Sequence, residues 1–344
     1  MADPVRYGIV GCAGVGNNHA RAALKAEGAE LVACADISEE AAAEFAEEYE
    51  VPATYANPAE MVEDAEIDAV SVCTPSGTHA QVTTSIANAG AHVLCEKPLE
   101  IYADRMNEMI ETCDEAGVKL GGIFQRRMDP GNRRARRAVQ DGELGEPILG
   151  DATIKWFRPQ SYYDSAAWRG TRDMDGGCMM NQGIHHIDTL QWIMGGVESV
   201  IAVTDTLSRE MECEDTAALV VRFDNGAVGT IEATTAVKGG QDRMEINGTE
   251  GSIALDGREI TDFQIGTGEE SRYSAETESV ETEGDHHPCG INHDGLVQDF
   301  VVAIQEDREP EIPGHEAREA VDIILAAYQS SETGERVYLE DLRS

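Results

Sequence analysis

The feature that most constrains the fold is a strand, a glycine-rich loop and a helix at the start of the chain. Residues 7–16 read Tyr-Gly-Ile-Val-Gly-Cys-Ala-Gly-Val-Gly, and Ala13 stands where the motif G-x-G-x-x-G has its middle glycine. Such a loop permits a tight turn, and the helix N-terminus offers amides to a pyrophosphate. The loop therefore predicts dinucleotide contacts from five residues, which are Gly11, Ala13, Gly14, Val15 and Gly16.

An acid follows this loop at the distance that ribose recognition requires. Asp36 ends the second predicted strand, 20 residues after Gly16, where a carboxylate holds the ribose 2′-hydroxyl. A 2′-phosphate would be repelled by Asp36, and residues 37–39 offer no arginine to receive it. NAD is therefore favoured over NADP.

Two successive patterns of predicted secondary structure divide the chain. Up to about residue 124, short apolar runs alternate with helical patterns, which predicts a parallel sheet covered by helices on both faces. From residue 125 onward, successive strands with Gly or Asn-Gly turns predict an α+β domain with a large, mostly antiparallel open sheet. We expect one domain at 1–124 and a second at 125–344. An alternative is that the C-terminal helix packs back on the first domain.

The overall charge is strongly acidic. The chain has 65 acidic and 26 basic residues, a formal net charge of −39, and only five lysines. Self-repulsion at this charge opposes compactness unless salt screens it, so we expect a halophilic setting. The same charge argues against nucleic acid or an anionic membrane as a partner.

The cysteine pattern indicates a reducing compartment. Eight cysteines occur without C-x-x-C pairs, several of them within apolar strands, so buried thiols are favoured over disulfides. We see no apolar run long enough to span a bilayer and no signal-peptide pattern at the N-terminus. We expect a cytoplasmic protein.

Three further motifs occur in order along the chain. They are Cys73-Thr-Pro-Ser-Gly-Thr-His79, Glu96-Lys97-Pro98, and residues 175–188, Asp-Gly-Gly-Cys-Met-Met-Asn-Gln-Gly-Ile-His-His-Ile-Asp. Together with the glycine loop they resemble the glucose-fructose oxidoreductase / inositol dehydrogenase (Gfo/Idh/MocA) family over nearly the whole chain. The resemblance implies cofactor contacts from Thr74, Pro75, His79, Glu96 and Lys97, and a cis peptide bond before Pro98.

The resemblance also implies the catalytic pair. It points Lys97 at the substrate and identifies His185 as the acid/base, with His186 facing away. Asn181, His185 and Asp188 stand at positions i, i+4 and i+7, which would place them on one face of a helix. Many relatives have an aspartate at the position of Asn181. An asparagine can hold a sugar hydroxyl but supplies no charge to a relay, so Asn181 is an expected substrate contact, and Lys97 and His185 are expected to carry the chemistry together.

Other residues have weaker signals. Arg127 matches a substrate-side arginine of inositol dehydrogenase, with Arg126 as the neighbouring alternative. Tyr163 is a further expected substrate contact, and Trp168 and Arg169 either cover the cofactor or pack between domains. His286, Cys289 and His293 mix metal-type ligands, but their spacing matches no established zinc signature, and a loop bordering the substrate cleft is the favoured interpretation.

The expected function is NAD-dependent oxidation of a secondary hydroxyl group of a sugar, sugar derivative or cyclic polyol. A hydroxyl between Lys97 and His185 would lose its proton to His185 while its carbon gives hydride to NAD. Three alternatives remain open at this point: an NAD-dependent glycoside hydrolase, a keto-sugar reductase, and a non-catalytic cofactor-binding sensor. Family analogy also implies pairing of the open sheet in a homodimer or homotetramer.

Overall fold

The structure, a computed structural model, describes residues 3–266 and 293–343, and the chain divides into two compact units. Unit 1 comprises Met1–Gln125 and Asp285–Arg318, and unit 2 comprises Arg126–Gly284 and Glu319–Ser344. Each unit is thus built from two separate stretches of chain. His286 and Cys289, two of the three residues of metal-ligand type noted in the sequence, lie outside the described residues.

Unit 1 is a six-stranded parallel sheet with helices. Its strands are β1 Val5–Val10, β2 Ala29–Ala35, β3 Ala53–Tyr55, β4 Ala69–Val72, β5 His92–Cys95 and β6 Leu120–Gly122. Its helices are α1 Gly16–Lys25, α2 Glu39–Tyr49, α3 Pro58–Asp64, α4 His79–Asn88, α5 Ala103–Ala116, α9 His293–Gln305 and α10 Gly314–Ala317. The strand order β3-β2-β1-β4-β5-β6 confirms the predicted Rossmann fold.

The central strands are apolar on both faces because helices cover both. Val70, Val72 and Val93 are fully buried, as a parallel sheet requires. The second stretch of chain contributes to this core. Helix α9 places Phe300 at 0% exposure and packs against α1, and Gln305 donates a hydrogen bond to the carbonyl of Gly28 at 3.3 Å. Helix α9 is therefore an integral layer of unit 1.

Unit 2 is an eight-stranded sheet with five helices in the described residues. Its strands are β7 Pro147–Lys155, β8 Val197–Asp205, β9 Thr216–Phe223, β10 Val228–Thr234, β11 Asp242–Gly248, β12 Gly251–Asp256, β13 Glu259–Ile265 and β14 Val337–Tyr338. Its helices are α6 Pro130–Gln140, α7 Gln160–Tyr163, α8 Ile184–Met194, α11 Glu319–Thr333 and α12 Leu339–Leu342. All strand pairs are antiparallel except β7 with β10, which confirms the predicted α+β fold.

The two faces of this sheet differ. Strands β9 and β10 alternate buried and exposed residues, and helices α8 and α11 pack on the buried side. The other side exposes apolar side chains, namely Ile148, Ile201, Val203, Val220, Val228 and Tyr338. The alternation is that of a sheet covered on one face only.

Two further findings concern the described part of the chain. Seven cysteines are described, and all seven are buried and unpaired. No helix within residues 3–266 and 293–343 has the length and apolar character needed to cross a membrane.

Candidate active site

The glycine loop joins β1 to α1 in unit 1. Gly11 has a φ of +99°, and a Cβ there would lie 2.6 Å from the carbonyl oxygen of Cys73, so only glycine fits. Helix α1 begins at Gly16 without a side-chain cap, and a Cβ on Gly16 would collide with the carbonyl oxygen of Gly11. Ala13 is exposed, so its methyl group lies at the loop surface. The loop has the form that receives a pyrophosphate.

Asp36 lies directly beside this loop. The amide of Cys12 donates to Asp36 Oδ2 at 2.9 Å, and the amide of Ser38 donates to Oδ1 at 2.9 Å. These bonds hold the carboxylate at the carboxyl end of β2, where it remains partly exposed. The position suits a bond to a ribose hydroxyl.

The segments with Thr74 and Lys97 leave the same edge of the sheet. Strands β1, β4 and β5 are parallel neighbours, so the residues that follow them share one edge. His79 joins two of these segments: its Nδ1 lies 2.8 Å from the carbonyl oxygen of Pro98 and its Nε2 lies 2.9 Å from that of Thr74. His79 is 1% exposed, and its two contacts fix these loops; its predicted cofactor contact stays a prediction.

Lys97 is partly exposed and follows β5 directly after a buried carboxylate. The peptide bond between Lys97 and Pro98 is cis, as the resemblance implied. Glu96 is 5% exposed and accepts hydrogen bonds at Oε1 from His19 and His293, each at 3.0 Å. Burial alone would raise the pKa of Glu96, but these two bonds outweigh it and hold the pKa well below its usual range. Glu96 therefore has internal partners on both histidines, and its predicted cofactor contact stays a prediction.

In unit 2, the segment with Asn181 and His185 does not start as a regular α-helix. Residues Met179–Gly183 form a π-helical turn, and α8 follows from Ile184. Turns of this kind are frequent at functional sites. The predicted common face for Asn181, His185 and Asp188 assumed regular α-helical spacing, and the π-helical turn lies at the start of this segment. His185 is 7% exposed, whereas Asp188 is 0% exposed.

Two arginines expected near substrate are bound within unit 2. Arg127 is 1% exposed and pairs with Asp188 through two short contacts, Nε to Oδ2 at 2.9 Å and Nη2 to Oδ1 at 2.6 Å. Arg126 pairs with Asp242 at 2.9 Å and contacts His186. Arg127 is thus held in an internal ion pair, and its predicted substrate contact stays a prediction. His186 is 1% exposed, and its ring contacts both Arg126 and Asp242.

The segment at 162–169 is a cluster of aromatic and cationic side chains. Tyr163 is 5% exposed and its hydroxyl lies 2.6 Å from Thr235 Oγ1, and its predicted substrate contact stays a prediction. The guanidinium of Arg169 lies 4.3 Å from the ring centre of Tyr162 and 4.5 Å from that of Trp168. Trp168 and Arg169 are partly exposed, so they remain candidates for the cofactor contacts expected from the resemblance.

Two buried carboxylates that the sequence did not single out hold the π-helical turn. Asp175, 1% exposed, accepts hydrogen bonds from the amide of Gly170 at 2.7 Å and from the side chain of Asn181. Glu214 accepts from the amide of Met179 at 2.8 Å. Burial raises the pKa of Glu214 to about 7. Gly177 makes room for Glu214, because any Cβ there would collide with its carboxylate.

Comparisons with known proteins cover nearly the whole chain. A model described as "Oxidoreductase family, NAD-binding Rossmann fold" matches residues 5–124, and one for the GFO/IDH/MocA C-terminal domain matches residues 132–254. Myo-inositol 2-dehydrogenase of Thermotoga maritima is 30% identical over 98% of this chain and 99% of that protein. D-xylose 1-dehydrogenase (NADP(+)) 2 of Haloferax volcanii is 28% identical over 97% of this chain and 99% of that protein.

A solved structure agrees with these matches. The WlbA dehydrogenase from Bordetella pertussis, in complex with NADH and UDP-GlcNAcA, has a TM-score of 0.87 and 30% sequence identity. The match covers 97% of this chain and 98% of that chain.

Proposed function

The chain belongs to the Gfo/Idh/MocA family of NAD-binding oxidoreductases, and we propose that it oxidises a secondary hydroxyl group of a sugar, sugar derivative or cyclic polyol. One observation in unit 1 carries the proposal. The glycine loop, Asp36 and Lys97 all lie at the carboxyl edge of one parallel sheet, where ligands of such sheets bind. A cofactor-binding loop and a cationic side chain at that edge suit hydride transfer from a hydroxyl-bearing carbon.

NAD fits the residues that would hold it. The pyrophosphate would meet the amides at Gly14 and Gly16, and the ribose would bond to the carboxylate of Asp36. When bound, NAD supplies the acceptor for the hydride that leaves the carbinol carbon. One of the relatives is named for NADP, so the preference set by Asp36 requires a direct test.

Two side chains supply the remaining chemistry. His185 accepts the hydroxyl proton, a role that suits imidazole because its ordinary pKa lies near 6.5. Lys97 donates a charge-assisted hydrogen bond to the same oxygen and lowers the energy of the negative charge that develops there. The hydroxyl loses a proton and its carbon loses a hydride, so a ketone or lactone remains. Arg127 and Tyr163, both buried and paired within unit 2, stay proposed substrate contacts.

We also propose that the exposed apolar face of the unit 2 sheet pairs with another copy of the chain, as a homodimer or homotetramer. Val203, Val220 and Ile148 are 71%, 53% and 52% exposed on strands β8, β9 and β7. Contiguous apolar patches of this kind mark interaction surfaces. Light scattering should show an oligomer that Val220→Asp dissociates, and a monomeric wild type would refute the pairing.

The function is tested with a panel of sugars, polyols, inositols and nucleotide sugars, each mixed with NAD in molar potassium chloride and followed by NADH absorbance. Steady NADH formation from at least one free carbohydrate is expected. Aglycone release from glycosides without net NADH would favour a glycoside hydrolase, and turnover only of ketones with NADH would favour a reductase. NAD binding without turnover in either direction would favour a sensor. A cytoplasmic location remains part of the proposal, in keeping with the unpaired thiols.

A further inference from the structure

We infer that His19 and His293 are positioning residues for Lys97, and that they act through the buried carboxylate of Glu96. The inference rests on the proposed function insofar as Lys97 acts on the substrate. It concerns unit 1 alone, where helices α1 and α9 each bring one histidine to the end of strand β5. Neither histidine belongs to the cofactor loop.

The carboxylate of Glu96 connects these helices to the backbone of Lys97. Its Oε1 accepts from Nε2 of His19 and from Nε2 of His293, each at 3.0 Å. Its Oε2 accepts from the backbone N–H of Lys97 at 3.1 Å. The first oxygen is thus fixed by two helices, and the second fixes the residue whose side chain is proposed to act on substrate.

The direction of the hydrogen bonds follows from the acceptor-only character of a carboxylate. His19 must present a protonated Nε2 to Glu96, so in the neutral ring its Nδ1 is an acceptor. That Nδ1 lies 2.7 Å from Ser71 Oγ, which in turn lies 2.7 Å from the hydroxyl of Tyr7. Tyr7 therefore donates to Ser71 and Ser71 donates to His19. Tyr7, Ser71 and His19 are all 0% exposed, so water does not compete for these bonds.

The loop is held on its other side as well. The carbonyl of Pro98 lies 2.8 Å from Nδ1 of His79, so hydrogen bonds to side chains fix the backbone at both Lys97 and Pro98. Rotation of this backbone would swing the lysine ammonium by more than the loop itself moves, because the side chain is long. A shift of about 1 Å at a reacting group is enough to cost on the order of 100-fold in rate.

The same three side chains also form a donor set that suits a divalent cation. The ligand atoms of His19, Glu96 and His293 lie within 4.8 Å of one another, and two imidazoles with a carboxylate are common zinc ligands. The hydrogen bonds described above already satisfy these atoms, so they account for the cluster without an ion. Metal content therefore belongs in the test.

The test compares three variants of the full-length protein. His293→Leu removes the donor at similar volume, and His293→Gln returns an N–H near the position of Nε2. Asp294→Asn is the matched control: it breaks the exposed ion pair from α9 to Lys25 on α1, 2.8 Å long, and leaves Glu96 untouched. For each protein, kcat, KM, the Kd for NAD and the zinc content are measured.

We expect His293→Leu to lower kcat by about 10- to 100-fold while the Kd for NAD changes little, since the cofactor loop is unaffected. His293→Gln should restore most of kcat, and Asp294→Asn should match wild type. If His293→Leu fails to fold, Glu96→Gln is the second variant and should show the same loss of kcat. Zinc should stay far below one equivalent in every protein.

Three outcomes would overturn the inference. Unchanged kcat in His293→Leu, or an equal loss in Asp294→Asn, would show that the cluster does not position Lys97. One equivalent of zinc in wild type that disappears in His293→Leu would make the cluster a metal site. Lys97→Met, assayed alongside, separates failure of this inference from failure of the proposed function. If Lys97→Met keeps wild-type turnover, the proposed function itself fails.

Discussion

Arg127 and Asp188 form a bidentate ion pair within unit 2, and their side chains are 1% and 0% exposed. The pair joins the segment before α6 to the middle of α8, the helix that also carries His185. Its two contacts match the planar fork of a guanidinium to the two oxygens of a carboxylate. The geometry makes the pair a structural support for that helix.

Removal of one partner should therefore destabilise the protein. Arg127→Met leaves Asp188 buried without its cation, which typically costs about 3–5 kcal/mol. Arg243→Gln is the control, because Arg243 pairs with Glu245 and is 39% exposed, and such pairs contribute about 1 kcal/mol or less. Urea unfolding measures both. A rise in KM at unchanged stability would instead support the substrate role expected from the resemblance.

The cofactor preference should depend on Asp36. Wild type should bind NAD more tightly than NADP, because the carboxylate beside the loop bonds to a ribose hydroxyl and repels a 2′-phosphate. Asp36→Ala should weaken NAD binding and narrow the preference. Dissociation constants for both cofactors decide the question, and tighter NADP binding by wild type would contradict the assignment.

Loss of either proposed catalytic group should slow turnover without abolishing cofactor binding. Lys97→Met and His185→Asn should each lower kcat by on the order of 100-fold or more, the usual scale for a positioned acid/base or charge stabiliser. His185→Asn should also alter the pH–rate profile near neutrality. Steady-state kinetics and NAD titration measure these effects. Near wild-type turnover in His185→Asn would mean that another residue is the base.

Stability should depend on pH through Glu214. Burial raises its pKa to about 7 from an ordinary value of 4.5, so the folded state disfavours the ionised form. The free energy of unfolding of wild type should therefore fall, relative to Glu214→Gln, as pH rises from about 4.5 to about 7. The difference should reach about 3 kcal/mol above that range. Urea melts at several pH values measure it, with exposed Glu212→Gln as the control. If the difference in free energy of unfolding between wild type and Glu214→Gln does not change with pH, the raised pKa of Glu214 is refuted.

Salt should stabilise the protein. The net charge of −39 acts against compactness, and raising potassium chloride from about 0.1 M to about 2 M shortens the screening length to a few ångströms. The Tm should rise clearly across this range. A flat or falling Tm would remove the case for a halophilic setting.

The fold was largely predictable because its signals are local. The alternation of strands and helices up to about residue 124 and the successive strands after it were both predicted, since apolar periodicity and flanking turns determine them. Strand β3 and helix α3 were not predicted, because three- and seven-residue elements hold too few apolar residues to show a period. The π-helical turn at Met179–Gly183 was missed because no residue pattern marks a change of hydrogen-bond spacing.

The site was predictable only where a motif carries it. Asp36 was found by its distance from the glycine loop, and the structure places it beside that loop. The partners of Glu96 were missed because His19 and His293 are separated by most of the chain and meet only in the folded unit. The internal partners of Arg127 and Tyr163, which are Asp188 and Thr235, were missed for the same reason.

The discontinuous composition of unit 1 bears on how the chain emerges from the ribosome. Helix α9 supplies Phe300 to the core, His293 to the Glu96 cluster and Gln305 to the α1–β2 turn, all from beyond residue 292. Unit 2 likewise needs α11 and α12 from the last part of the chain. Neither unit can finish folding while its N-terminal stretch alone is synthesised, so domains do not complete one after another during translation as they often do. The last fifty or so residues complete both units, and truncations there should trap the whole protein at an unfinished stage.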